Sequence, residues 1–598
     1  MPAAEIVDAH QRLADRLLAA RERAGHWTGE LASSALSTAT AVTALSLARR
    51  DDGDRALADQ GLGWLVRHQN ADGGWGDTTR SASNISTTAL CWAAFTFAGP
   101  AVDGAPAATA RCEAWLAHAA GGLQPRQLQQ AIAERYGKDR TFSAPILTAL
   151  ALCDRLGADG WRYVPQLPFE LAACPPRWFQ WLQLPVVSYA LPALIAIGEV
   201  RHHHRPSRNP VLRVLRDAIS GRARGVLRRI QPATGGYLEA MPLTSFVVIS
   251  LAGMDQAGSE VAAEGLRFLR ASVRDDGSWP IDSNLATWVT TLAINALAHP
   301  AGTIVLPEAD RHRLAQWLLA QQHAQEHPYT AARPGGWAWT PLAGGVPDAD
   351  DTAGALLALR RLHMNDARTR DAAAAGVEWL LNLQNRDGGI PTFCRGWGAL
   401  PFDRSAPDLT AHALRAWRAW RGEMTSAIVR RVDAATARAL HYLAASQRAD
   451  GAWLPLWFGN EQARDDGNPT YGTTRVLLSL ADVEDSQAAA MRDRATTWLL
   501  NAQNHDGGWG GDAGVPSSIE ETAMAVEALV SGAAHAAHAH VAIAAQRGLQ
   551  WLLPLTDAEM LATPIGLYFA KLWYFEAFYP LIFATAAVGR AAVVFRDN

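Results

Sequence analysis

Apolar, alanine-rich stretches recur along the chain at helical spacing, and many are closed by the same short polar phrase. "WLVRHQNADGGWG" at 64 to 76, "LHYLAASQRADGAW" at 440 to 453 and "WLLNAQNHDGGWG" at 498 to 510 share one frame. An apolar helix end is followed by Gln, then by an Asp-Gly turn, then by Trp six positions after the Gln. Looser copies are "LRFLRASVRDDGSW" at 266 to 279, "WLLNLQNRDGGI" at 379 to 390, and "WLLAQQHAQEHPYTAARPGGWAW" at 317 to 339, which carries an insertion. "AGHWTGEL" near the start is a partial copy. The copies precede stretches such as "SSIEETAMAVEAL", whose spacing suits a helix buried on one face. Gly and Asp between them supply the turn and the cap of the next helix. Sustained period-two runs are nearly absent, so the pattern predicts an all-α protein of stacked helix pairs, each ended by a Gln/Trp turn clamp. Such pairs close into an α/α toroid or stay open as a solenoid, and periodicity does not choose.

Three segments depart from this rhythm. The run from Trp178 to Gly198 carries no charge, but its two Gln and two Pro predict a buried or interfacial helix rather than a span. The C-terminal "IGLYFAKLWYFEAFYPLIFATAAVGRAAVVF" is broken by Lys571, Glu576 and Arg590, and reads as core or membrane-facing surface. "RHHHRPSRNP", Arg201 to Pro210, is polar and proline-broken, which predicts a solvated surface loop.

At 598 residues the chain is too long for one ordinary core, so two domains are expected. Hydrophobic residues at 49% and charged residues at 19% describe a folded protein, and a net charge of -4 gives no reason to expect nucleic acid. The five cysteines (Cys91, Cys112, Cys153, Cys174, Cys394) are scattered without CxxC spacing, which suits a reducing compartment and argues against a cysteine-based zinc site. The N-terminus lacks the apolar stretch of a secretory signal and reads as a cytoplasmic start. Trp (23) outnumbers both Phe (15) and Tyr (10), and tryptophan offers the strongest ring face for a cation.

The chemistry concentrates in "VPDADDTAGALLAL" at 346 to 359, where Asp348, Asp350 and Asp351 crowd together at the start of an apolar helix. One aspartate can serve as an N-cap. A calcium loop fails, because its Gly and Glu positions hold Ala353 and Leu359. A magnesium site for a diphosphate would add further carboxylates or basic residues, and no DDxxD motif occurs, so no metal is expected. Carboxyls held this close cannot all ionise, so one keeps its proton at neutral pH. An acid sharpened in this way suits the protonation of an unactivated carbon-carbon double bond. The resulting carbocation needs an apolar pocket faced with aromatic rings.

"PDADDTA" together with the repeated "QxxDGGW" turns resembles the squalene-hopene cyclases, members of the class II terpene cyclases, over nearly the whole chain. The resemblance implies that Asp350 is the proton donor, flanked by Asp348 and Asp351. "SAPDLTAHALRAW" matches the segment whose histidine bonds the donor, which gives that role to His412, with Asp408 one turn earlier on the same face. It also implies that Trp339 and Trp337 in the stretch leading to the acid, Trp288, Phe393, Tyr189, Tyr568 and Phe575 face the substrate. Two glutamates that end the cascade in the family are absent from "LSTATAVTAL" and "NISTTALCWAAF", and Leu572 stands in place of a tyrosine. The resemblance therefore covers how the reaction starts and not hopene as its product.

What it implies further is a pair of α/α toroids, residues 11–260 and an acid-bearing 261–598 with segment 1–10 packed on it, separated by a large apolar cavity. It implies squalene or another polyprenyl substrate, no cofactor, and monotopic attachment to the cytoplasmic face of a membrane. A homodimer is compatible with it. The rivals are a class II prenyl-diphosphate cyclase of drimenyl or copalyl type, for which Arg201 to Asn209 is the one candidate diphosphate site, and a non-catalytic lipid-binding toroid. A zinc prenyltransferase toroid fails for want of an Asp/Cys/His site.

Overall fold

A computed structural model of the chain describes residues 3–137, 142–182, 190–298, 304–328, 330–364, 366–393, 403–532, 539–556, 559–567 and 571–595. The helix pairs close into two rings. In the first, the helices Ala35–Ala48, Ile85–Ala94, Ser143–Leu152, Leu191–His204 and Met241–Ala252 form an inner barrel. Outside it stand Asp52–Arg67, Ala105–Ala120, Pro125–Tyr136, Pro210–Ile230 and Glu260–Ala271. In the second, Ala286–Ala296, Ala349–Arg361, Pro407–Trp420, Pro469–Leu480, Ile519–Gly532 and Tyr579–Val594 form the inner barrel, the last helix closing against the first. The inner helices are buried nearly all round, as expected of a helix enclosed on every side, whereas Glu260–Ala271 buries one face.

The N-terminal helix Ala3–Ala19 completes the outer ring of the second toroid, against Tyr579–Val594. Ile6, Leu13, Leu17, Trp27 and Leu31 all join that toroid's core, so the N-terminal segment committed to it runs well past residue 10. Conversely Leu266, Leu269 and Trp279 lie in the first toroid's core, which carries that unit beyond residue 260. The expected division at 260/261 thus cuts a helix pair: Glu260–Ala271 packs on Met241–Ala252.

Each clamp has one geometry. Gln503 donates from Nε2 to the carbonyls of Gly507 (2.8 Å) and Ala544 (2.9 Å), tying its turn to the next outer helix. Trp509 donates from its indole to Leu499, ten residues back, at 2.8 Å. Gln69/Trp75 and Gln447/Trp453 repeat this. A copy that the Gln/Trp frame did not predict is "QPATGGY", in which Gln231 makes both bonds and the Tyr237 hydroxyl replaces the indole, donating to Leu227 at 3.0 Å. Strands are short: Ser33–Ser34 pairs with Trp279–Pro280, and Phe458–Gly459, Ile565–Leu567 and Leu572–Tyr574 form a small antiparallel sheet. The toroids are joined by polar contacts, among them Gly344 N–H to the Glu239 carboxylate at 2.7 Å and Trp573 N–H to Asp77 at 2.8 Å. Leu572 touches both cores.

Among the described residues no helix is long and apolar enough to cross a membrane. The three histidines predicted to lie in a loop instead end the helix Leu191–His204. His202 Nε2 meets Asp217 at 2.8 Å, and His204 stacks on Trp161 with centroids 4.2 Å apart. These local partners let the helix run on through a sequence that looks like a break.

Candidate active site

The acidic cluster sits where a turn clamp feeds an inner helix. Trp337 is fully buried, and its indole donates to Leu318 at 2.8 Å, the bond that every tryptophan clamp makes. Its N–H reaches Thr352 Oγ1 at 3.0 Å, and its carbonyl accepts the Asp348 N–H at 3.0 Å. The clamp therefore fixes the first turn of Ala349–Arg361 on both sides. Asp348 is the N-cap, its carboxylate accepting the Asp351 N–H at 2.8 Å. Asp348 and Asp351 are both buried. Burial pushes Asp348 up to about 7 and Asp351 well above the usual carboxylate range, the latter raised further by Asp348's charge. A retained proton is thus shared within this flanking pair. Asp350 points away and has a different partner.

That partner is His412, whose Nδ1 lies 2.5 Å from Asp350 Oδ1. Burial holds the imidazole below its ordinary pKa, against the pull of Asp350, so the ring is neutral at neutral pH. In the Nδ1–H tautomer the ring donates to Asp350 Oδ1. Residue 354 is glycine where the Ala349–Arg361 helix meets Ala286–Ala296: a Cβ there would run into Thr291 Oγ1 at 2.9 Å, while His412 Cε1 at 3.6 Å would be in ordinary contact. Asp408, one turn before His412, is buried with neither carboxyl oxygen hydrogen-bonded. Burial, then the charge of Asp350, pushes it up to about 7.

Asp350, Asp408, His412 and Trp288 line a cavity of about 60 Å³ inside the second barrel. Tyr471, Arg415, Arg475, Arg361, Arg590 and Glu527 continue its wall toward the other end of the helices. Among the described residues no cluster of three or more His, Cys, Asp and Glu has metal-binding geometry.

The aromatics divide into two groups. Trp288 stands edge-on to His412 (6.3 Å between centroids), parallel to Phe458 (6.5 Å), and donates to the Tyr579 hydroxyl at 3.0 Å. Trp339 lies 6.2 Å from Phe393, which meets Trp457 edge-on at 5.9 Å. This second group adjoins the apolar cluster of Tyr237, Val247 and Val346, contributed by both toroids. The groups are linked, because the Trp339 carbonyl accepts the N–H of Thr287 and Trp288. Two predicted residues stand elsewhere, and two more are not described. Trp337 is spent in the clamp and does not line the cavity. Phe575 lies under the Arg80 guanidinium at 4.5 Å. Tyr189 and Tyr568 lie outside the described residues. Sequence reasoning missed Trp457, Phe458, Tyr471 and Tyr579. Tyr471 carried a signal, since "PTYGTT" follows a clamp and opens an inner helix just as "DADDTAG" does.

Comparison with known proteins gives the same picture. Residues 11–217 match the squalene-hopene cyclase N-terminal domain, and residues 285–560 match the squalene-hopene cyclase C-terminal domain. The enfumafungin synthase of Hormonema carpetanum is 27% identical over 92% of this chain, although the chain spans only 44% of that protein's length. The squalene-hopene cyclase of Alicyclobacillus acidocaldarius is 26% identical over 79% of this chain and 78% of its own. Among solved structures, the ent-copalyl diphosphate synthase from Streptomyces platensis superposes with a TM-score of 0.60 at 20% identity, covering 99% of this chain and all of that one, which speaks for the fold. With both halves matched in order and the acid-bearing barrel within the second, the chain belongs to the squalene-hopene cyclase family.

Proposed function

We propose that the protein is a protonation-initiated terpene cyclase acting on squalene or a related long isoprenoid, with Asp350 as the proton donor. The observation that carries this is the 2.5 Å contact of Asp350 with a partly buried, neutral His412, beside two carboxyls that share a retained proton. The alkene π-electrons then take the Asp350 proton, the O–H bond breaks, a C–H bond forms, and a tertiary cation is left on the hydrocarbon. His412 holds the new carboxylate through Nδ1–H. Trp339, Phe393 and Trp288 supply ring faces for the cations. Successive alkenes close rings until a base removes a proton or water adds. This sequence calls for neither metal nor organic cofactor.

A substrate that lives in lipid requires a membrane-facing surface. In support, Trp178, Trp181 and Leu182 on one segment, and Val211, Leu212, Val214 and Leu215 on the first turns of Pro210–Ile230, are exposed although large and apolar. We place this peripheral attachment on the cytoplasmic side, in keeping with the buried unpaired thiols of Cys91, Cys112 and Cys153.

Within the candidate diphosphate site of the prenyl-diphosphate reading, Arg201 is already engaged with the carbonyls of Val164 (2.8 Å) and Arg205 (2.5 Å), which speaks against that reading. The deciding experiment incubates purified protein with squalene, and separately with geranylgeranyl diphosphate with and without chelator, and analyses products by mass spectrometry. Cyclised squalene is expected, with Asp350→Asn reduced at least about 100-fold. Squalene left untouched, or full activity in Asp350→Asn, would sink the assignment.

A further inference from the structure

The wall of the barrel cavity beyond the acid carries more positive charge than the reaction just proposed requires. Arg361, Arg415, Arg475 and Arg590 come from four different inner helices and line the same space of about 60 Å³, with Glu527 the single carboxylate at their end. Among the described residues only Arg590 of the four pairs with a carboxylate, Nε to Glu527 at 2.9 Å. Arg475 packs between the rings of Tyr471 (4.9 Å) and Phe583 (5.2 Å), and its Nη2 is buried with no hydrogen-bond partner. Arg361 and Arg415 make no hydrogen bond or ion pair with any described residue. Four guanidiniums around one cavity repel one another, and at their end Glu527 offers them a single shared counter-charge. Burial pushes Arg415 down to about 10, against the pull of Glu527 and with repulsion from Arg590, Arg475 and Arg361 adding to it.

We infer that this cavity is a binding site for a tetrahedral oxyanion of the inorganic phosphate type, held by Arg361, Arg415 and Arg475. The chemistry favours that class over a halide: guanidinium forks match the paired oxygens of phosphate or sulfate, and Arg361, Arg415 and Arg475 reach the cavity from three different helices. The whole cavity, from Asp350 to the arginines, has about 60 Å³ against roughly 10–15 Å³ for a single water on the same measure, so one such anion at the arginine end would take a large share of it. The position separates it from a substrate headgroup. Arg361 ends the helix that Asp350 begins, about 16 Å further along its axis at 1.5 Å per residue.

Binding is testable without turnover, so its outcome is independent of whether Asp350 is the proton donor. The thermal unfolding midpoint of the full chain is measured in chloride-only buffer and against rising inorganic phosphate at constant ionic strength, beside isothermal titration calorimetry of phosphate. The midpoint is expected to rise by about 1 °C per tenfold phosphate above its Kd, as linkage gives for a chain of 598 residues. Arg475→Gln and Arg361→Gln should each abolish the phosphate response, and Arg361→Gln should raise the midpoint in chloride alone, because one of four cations sharing a single carboxylate has been removed. A merely structural arginine would lower it. Arg360→Gln, next to Arg361 but paired with Glu423 at the surface, should respond as the parent does. If Arg475→Gln does not fold, Arg361→Gln carries the test. An equal rise with chloride, no heat of phosphate binding, or an undiminished response in the arginine variants would overturn the site.

Discussion

Asp408 shows what burial without a partner does to a carboxyl. With both oxygens unbonded and a pKa of about 7 in the fold, against about 3.9 in an unfolded chain, it binds its proton more tightly when folded. Stability from this group is therefore full below pH 4 and is lost as pH rises toward 7, by on the order of 4 kcal/mol at most. Asp348 adds a loss of the same sign in the same window. Asp408→Asn should thus flatten the fall in unfolding midpoint between pH 5 and pH 8, and should be more stable than the parent at pH 8. A fall as steep as the parent's would mean that Asp408 is solvated in solution. Next to it, His412→Phe keeps the ring volume but removes the donor to Asp350, and the proton step is expected to slow by at least about 100-fold with the midpoint little changed. A loss of activity that tracked a loss of fold would instead make His412 a packing residue.

Two tryptophans two positions apart illustrate what an element does with its residues. Trp337 and Trp339 share one turn, yet Trp337 is locked by its indole to Leu318 while Trp339 faces Phe393. Trp337→Phe removes one buried hydrogen bond and should cost about 1–3 kcal/mol of stability with the product pattern unchanged. Trp339→Ala should leave the fold standing and slow turnover by up to about 30-fold, the value of one desolvated cation–π contact, or divert products. Thermal melts of both variants beside product profiles would expose a reversal of these roles. The frame that gives Trp337 its place was legible in sequence, since "GGW" marks it as firmly as "DGGW" marks Trp509, but the resemblance drew it toward the substrate instead. The Gln231/Tyr237 clamp was passed over because Tyr replaces Trp, although a phenol hydroxyl reaches the same carbonyl. Asp350 and His412, 62 residues apart, were legible as a pair only through the family resemblance, whereas helices and clamps follow from short-range spacing and could be read directly. Trp457, Phe458 and Tyr579 could not, because what brings Tyr579 to Trp288 is closure of the ring between its last and first inner helices, nearly three hundred residues apart.

That closure also governs how the whole molecule meets its surroundings. The ring of the first toroid buries its inner helices completely, and the apolar residues that remain outside are gathered where Pro176–Trp181 and the start of Pro210–Ile230 stand away from it, with Trp181 78% and Val211 73% exposed. A helix whose later turns are rich in arginine and whose first turns expose Val211, Leu212, Val214 and Leu215 has no place for that face in water. Lipid accommodates it: tryptophan is favoured at the headgroup level, and each large apolar side chain inserted is worth about 1.5–3 kcal/mol. Full-length protein should therefore sediment with phosphatidylcholine vesicles, and Trp181→Glu or Val211→Glu should each weaken that binding by about tenfold or more while activity on detergent-dispersed squalene persists. Because the acid lies in the other toroid, loss of vesicle binding with detergent activity intact would separate delivery of the substrate from its protonation. Vesicle binding unchanged in the Trp181→Glu, Val211→Glu double variant would move the membrane face elsewhere on the molecule.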